Sequence, residues 1–141
     1  MKTLYEGVST TVGGRAGHAT TDDGKLDLKL SVPKAMGGDD GPGTNSEQLF
    51  GCAYSACFGS AIAVIAKKKR IELSDDFSVT ATIGFCEDED GAFLEATLDC
   101  YIPGVDVETG EDIIKKAHKI CPFSKATRDN ITVNLNLLLD E

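Results

Sequence analysis

The residue pattern predicts an α+β protein in which antiparallel sheets wrap around a central apolar helix. Three observations carry that expectation. Alternating apolar and polar runs occur near both ends and in the middle of the chain, one long segment is free of charge, and a shorter segment has a helical stripe.

The first third reads as strands separated by glycine turns: Tyr5 to Thr11, then Gly13-Gly14, Arg15 to Thr20, Asp23-Gly24, and Leu26 to Val32. In the last of these, Leu26, Leu28, Leu30 and Val32 alternate with polar neighbours and share one expected buried face. Between Pro33 and Gly43, two prolines and four glycines break any regular element, so this stretch is expected to be a loop. Thr44-Asn45-Ser46-Glu47 then has the Thr-x-x-Glu spacing of a capping box. The 18 residues from Leu49 to Ala66 are uncharged until Lys67-Lys68-Lys69-Arg70 closes them with cations suited to a helix C-terminus.

That length meets the threshold for a membrane span. Its richness in Gly, Ala, Ser and Cys argues instead for a buried helix, with Gly51, Ser55 and Gly59 forming a small-residue face on which another helix is expected to approach. Two alternating runs follow, Phe77 to Cys86 and Ala92 to Ile102, joined by the acidic tip Glu87 to Gly91 as a hairpin. Phe77, Val79, Ala81, Ile83 and Phe85 share one face of the first; Leu94, Ala96, Leu98, Cys100 and Ile102 share one face of the second. A helix is expected over Glu111 to Ile120, interrupted by Pro122, and the alternating Ile131 to Leu139 run is expected to be a last strand on the same core.

A chain of 141 residues, 41% hydrophobic, supports one core and one domain over residues 1–141. So short a chain has difficulty covering an apolar helix on every side, and a homodimer in which two such helices bury each other is expected. The net charge of -9 repels phosphate backbones and anionic headgroups, which argues against nucleic acid and membrane partners. The N-terminal residues have no apolar signal-type run, and a cytoplasmic location is expected. Five scattered cysteines without a Cys-x-x-Cys pair fit neither a secreted disulfide framework nor a zinc knuckle.

Cys100 falls on the inward face of a strand, where a thiol behaves as a small hydrophobe. Cys86 falls on the other face near the acidic tip, where carboxylates raise a thiol pKa, and is assigned no function. Cys52 and Cys57 lie about 140° apart around one helix and face different ways. By composition, Cys57 is simply another small residue of a buried helix. His118 and Cys121, three apart, form at most half of a metal site without clustered partners, so no metal or cofactor is expected.

The wider context changes the reading of Cys57. Thr44-Asn45-Ser46-Glu47-Gln48-Leu49-Phe50, continuing to Tyr54-Ser55-Ala56-Cys57-Phe58, closely resembles the reactive-cysteine helix of the organic hydroperoxide resistance family within the OsmC superfamily. Ala117-His118-Lys119-Ile120-Cys121-Pro122-Phe123-Ser124, followed by Ala126-Thr127-Arg128-Asp129-Asn130, is similar to the family's second cysteine motif, and Gly13-Gly14-Arg15-x-Gly17 to its N-terminal arginine segment. The matches come in family order over nearly the whole chain. Cys52, Phe123 and Lys125 stand where the family pattern has alanine, tyrosine and asparagine.

The resemblance implies an OsmC-like fold, an intertwined homodimer, and a thiol peroxidase acting on alkyl or fatty-acid hydroperoxides. Cys57 would attack the peroxide and become a sulfenic acid, and Cys121 would convert this into a disulfide for reduction by a lipoylated protein or another dithiol. Arg15 would stabilise the Cys57 thiolate, with Glu47 holding the guanidinium through a bidentate pair. A capping role for Glu47 accounts for the same residue, and the two roles can coexist. Ten residues of helix rise about 15 Å, so Glu47 reaches Cys57 only through a displaced first turn, through Arg15, or from the other subunit. Cys121, just before Pro122, is placed at a helix N-terminus whose dipole favours a thiolate. Leu49, Phe50 and Phe123 read equally well as core residues and as a greasy substrate entrance. A thiol redox sensor and a thioesterase-like enzyme are the rival functions; the first would not turn over peroxide, and the second has no use for Cys121.

Overall fold

The computed structural model describes residues 1–139, and the chain divides into two units, Met1–Leu49 and the residues from Phe50 onward. In the first unit, β1 (Ser9–Val12), β2 (His18–Thr21) and β3 (Asp27–Lys29) form an antiparallel sheet in that order. The strand expected from Arg15 starts later, because Gly14–Ala16 form a short 3-10 turn. Its entry needs left-handed backbone at Gly13 and Gly14, with φ of 85° and 60°, which glycine adopts without strain. At Gly17 a Cβ would lie 1.7 Å from the Val12 carbonyl oxygen, so only hydrogen fits where β1 and β2 meet. Leu30 is buried while Leu26 stays exposed, so the apolar face expected from Leu26 to Val32 is covered only in part. The glycine-rich loop closes on itself through Ser31 and Thr44, whose backbone groups bond at 2.9 Å.

Helix α1 (Ser46–Lys68) starts from a cap that differs from the expected capping box. The Asn45 side chain accepts from the Gln48 backbone N–H at 2.8 Å, and the Thr44 hydroxyl donates to the Gln48 side chain. Asparagine satisfies the orphan N–H as well as threonine does, and Glu47 takes no part.

In the second unit, β4 (Ser78–Asp88) and β5 (Gly91–Tyr101) form the expected hairpin, with Val79 opposite Cys100, Ala81 opposite Leu98 and Ile83 opposite Ala96. Helix α2 (Val107–Ile120) begins four residues before the expected start, because Asp106 caps it through the Thr109 N–H at 2.7 Å. A short helix α3 (Pro122–Thr127) follows, then β6 (Val133–Leu138). The expectation of antiparallel sheets throughout fails at β6, which pairs with β5 in parallel. Two helices between these strands carry the chain back to the starting end of the sheet, and a crossover of that kind delivers a parallel strand.

The core joins Tyr54, Phe58, Ile62 and Ile65 of α1 to Ala96, Leu98 and Cys100 of β5 and to Ile113, Ile114 and Ala117 of α2. The α1 residues recur every three or four positions, so one flank is engaged, and each large side chain contributes roughly 1.5–3 kcal/mol by burial. Although α1 is long and apolar enough to cross a membrane, this flank is committed to protein packing. Gly51 and Gly59, expected to face another helix, instead face β4: their Cβ positions look onto Ala81 and Ile83, and onto Val79 and Phe77. Cβ atoms at Gly51 and Gly59 would lie 3.5 and 3.9 Å from their nearest neighbours, ordinary van der Waals contact, so alanine would also fit there.

Cys100 is fully buried, and burial followed by the nearby Asp99 pushes its thiol from the ordinary 9.0 up to about 12. Its stabilising effect is complete below pH 9 and is lost as pH rises toward 12, since the unfolded chain ionises first. Urea unfolding at pH 8 and at pH 11 to 12 should therefore show wild type losing up to about 4 kcal/mol more than Cys100→Ala over this window. Equal losses in the two proteins would refute the assignment.

Candidate active site

Cys57 lies on α1 one turn after Tyr54, at the edge of the buried flank, and is partly exposed. Cys121 is fully buried at the corner where α2 ends and α3 begins, serving as the last cap of one and the first of the other. The backbone makes this corner because a proline at the first helical position of α3 supplies no N–H and accepts helical φ, while disfavouring helical backbone at the residue before it. Cys121 accordingly has extended geometry, φ -65° and ψ 121°.

The two sulfurs meet there. Cys121 Sγ lies 3.4 Å from Cys57 Sγ, within thiol hydrogen-bonding distance, and both are free thiols. A disulfide needs about 2.05 Å, so closure requires an approach of about 1.4 Å. Burial raises the Cys57 pKa, the Phe123 backbone N–H lowers it, and the Cys121 thiol raises it again. The net direction is upward, so within this unit Cys57 lacks the opposite charge that a thiolate needs.

A cation held in the expected manner is found in the first unit. Arg15 Nη1 and Nη2 donate to the two carboxylate oxygens of Glu47 at 2.8 and 3.2 Å, a bidentate pair. Arg15 rises from the turn between β1 and β2, and Glu47 from the first turn of α1. Glu47 raises the arginine pKa, chiefly through the hydrogen bond, so the guanidinium stays charged.

The other cysteines stand apart. Cys52 is exposed on a different face of α1, and Cys100 is in the core. The Cys86 thiol is raised by burial first and then by Glu95 on the neighbouring strand, a different carboxylate from those of the hairpin tip.

Four polar side chains that sequence reasoning did not place in the site lie beside Cys121. Ser124 Oγ is 2.8 Å from His118 Nδ1 and 2.9 Å from the Tyr54 hydroxyl, which is 3.2 Å from Thr127 Oγ1. All four fall inside the two cysteine motifs, but spacing along the chain gives no sign that a residue at 54 meets one at 124. His118 bonds to serine, and no three His, Cys, Asp or Glu side chains cluster among the described residues. Phe50, Tyr54 and Phe123 pack edge-on or tilted with ring centroids 5.9–6.3 Å apart. Phe50 and Phe123 also line an apolar cavity of about 380 Å³ with Leu94, Pro122, Ala126 and Ile131.

Residues 37–136 match the family model described as OsmC-like protein. The chain is 40% identical over 136 residues to the organic hydroperoxide resistance protein of Xanthomonas axonopodis pv. citri, covering 96% of each. It is 41% identical to the organic hydroperoxide resistance protein OhrB of Bacillus subtilis, covering 95% of this chain and 98% of that one. The crystal structure of an organic hydroperoxide resistance protein from Elizabethkingia anophelis superposes with a TM-score of 0.92 at 42% identity, covering 99% of this chain and 100% of that chain. With its α+β architecture, its two cysteine motifs and likeness over nearly its full length, the chain belongs to the organic hydroperoxide resistance family of OsmC-like proteins.

Proposed function

We propose that this protein is a thiol-dependent peroxidase that reduces organic hydroperoxides to alcohols, with Cys57 as nucleophile and Cys121 as resolving thiol. The observation that carries the reading is the 3.4 Å sulfur pair, with one member partly exposed and the other fully buried behind it. An attacking thiolate needs access, and a resolving thiol needs only its partner.

The Cys57 thiolate attacks the terminal peroxide oxygen. The S–O bond forms, the O–O bond breaks, sulfur is oxidised by two electrons, and the alkoxide leaves to take a proton as the alcohol. Cys121 then attacks the sulfenic sulfur; the S–S bond forms and the hydroxyl leaves as water with the thiol proton. An external dithiol, a lipoylated protein in our reading, reduces the disulfide.

Arg15 supplies the positive charge that offsets the burial of Cys57 and steadies the departing alkoxide, while Glu47 fixes the guanidinium plane. The apolar cavity beside Phe50 and Phe123 supports a preference for alkyl chains over hydrogen peroxide.

The whole chain acts as one functional domain within a cytoplasmic homodimer, and neither nucleic acid nor membrane takes part. Support for the dimer comes from α1, whose Cys52, Ala53, Ala56, Ser60, Ala63 and Val64 are exposed along one stripe. At 100° per residue that stripe covers about 120°, and Cys57 falls about 20° beyond its edge. Since α1 runs without a break from Ser46, the displaced first turn is no longer available to bring Glu47 to Cys57. Two routes remain, a bridge through Arg15 and the other subunit; we propose the second, so that Arg15 and Glu47 serve the Cys57 of the partner subunit.

Consumption of tert-butyl hydroperoxide and hydrogen peroxide with dihydrolipoamide tests the chemistry. Wild type should favour the organic peroxide, Cys57→Ser should be inactive, and Cys121→Ser should form a trappable sulfenic acid without a disulfide. Full activity in Cys57→Ser would sink the reading. Subunit exchange tests the shared site: an equal mixture of Glu47→Ala and Cys57→Ser proteins should recover about one quarter of wild-type activity, since half the dimers are mixed and each then holds one intact site. No recovery after confirmed exchange would place each site within one chain.

A further inference from the structure

The buried hydroxyl chain next to Cys121 has no part in the peroxide chemistry, yet its protons can be arranged in an order. Each hydroxyl has one proton to give. Thr127 gives its proton to the backbone carbonyls of Phe123 and Ser124, at 3.0 and 3.2 Å, so it can only accept from Tyr54. Tyr54, having donated to Thr127, accepts from Ser124, and Ser124 in turn accepts from His118. A proton on His118 Nδ1 then satisfies every contact, and the chain runs one way from His118 through Ser124 and Tyr54 to Thr127.

Ser124 is the junction of this chain. Tyr54 is three residues before Cys57 on the same helix, while His118 and Ser124 stand three residues on either side of Cys121. The bond between His118 and Ser124 spans the α2–α3 corner, and the bond from Ser124 to Tyr54 ties that corner to α1. Arg128 adds a second clasp by donating to the His118 carbonyl. Tyr54 and Ser124 are fully buried, so neither can replace a lost partner with bulk water.

We propose that Ser124, bonded to both Tyr54 and His118, is the positioning residue that holds Cys121 at closing distance from Cys57, serving disulfide formation rather than the attack on peroxide. It rests on the peroxidase reading of the two cysteines. A core that only needed filling would be served as well by apolar residues of similar volume. A polar junction between the two cysteine-bearing segments instead fixes their separation, and a misplacement of about 1 Å costs about a hundredfold in a rate that depends on contact.

The test separates the two chemical steps in the full-length protein. Wild type, Ser124→Ala and Tyr54→Phe are mixed with one equivalent of tert-butyl hydroperoxide, quenched over time, and analysed by mass for sulfenic acid, trapped with dimedone, and for disulfide. In both variants peroxide attack should stay within about threefold of wild type while disulfide closure slows about ten- to hundredfold, so that trapped sulfenic acid accumulates. Closure at the wild-type rate in Ser124→Ala, or equal slowing of both steps, overturns the proposal. Should Ser124→Ala fail to fold, Tyr54→Phe, which keeps the ring and its packing, decides by the same criterion. Wild type that forms no disulfide would instead overturn the peroxidase reading itself.

Discussion

The burial of one flank of α1 governs how the unit from Phe50 onward is arranged. Tyr54, Phe58, Ile62 and Ile65 all point into the same core, which commits that flank to β5 and α2. Gly51 and Gly59 face β4 and the residue just before it. With these directions fixed, the rotation of the helix leaves Cys57 at the border between packed and open surface. That border suits the nucleophilic role proposed for Cys57, which needs both shelter and access. Its partner sulfur arrives from the α2–α3 corner, whose sharp turn follows from the proline after Cys121.

Shelter works against the charge on sulfur. Burial raises the Cys57 pKa and only the Phe123 N–H opposes it, so the unit that contains both cysteines does not by itself favour the thiolate. In the proposed chemistry the compensating charge comes from Arg15, which the two carboxylate oxygens of Glu47 hold. A guanidinium suits this task because it stays ionised and matches the carboxylate fork while its charge remains delocalised. The proposed sharing of nucleophile and cation between subunits gives a physical reason for assembly.

Much of the architecture was legible in the residues. The hairpin faces, Val79 to Ile83 against Ala96 to Cys100, follow from simple alternation. Thr44 and Asn45 are both competent caps for α1, and only backbone geometry chooses Asn45. That choice sharpens the role of Glu47, which is released from capping and bonds to Arg15. The small residues of α1 mark a packed face without saying what covers it, and β4 takes the place expected of a helix. The parallel pairing of β6 is not legible in the residues, because alternation is the same in either direction and only the path of the intervening helices settles it.

By itself the sequence determined the class of fold, the apolar helix, the inward faces of the strands and, through its motifs, the cysteines and the arginine–glutamate pair worth examining. These are properties of local period and residue type, which are written along the chain. Tertiary structure alone decided that Cys57 and Cys121 touch, that Glu47 bonds to Arg15, and that Tyr54, Ser124 and His118 share one buried chain of hydrogen bonds. Contacts between residues 32 to 70 positions apart depend on how helices rotate and where corners fall. Those angles are set by the packing of the whole core and by no single segment.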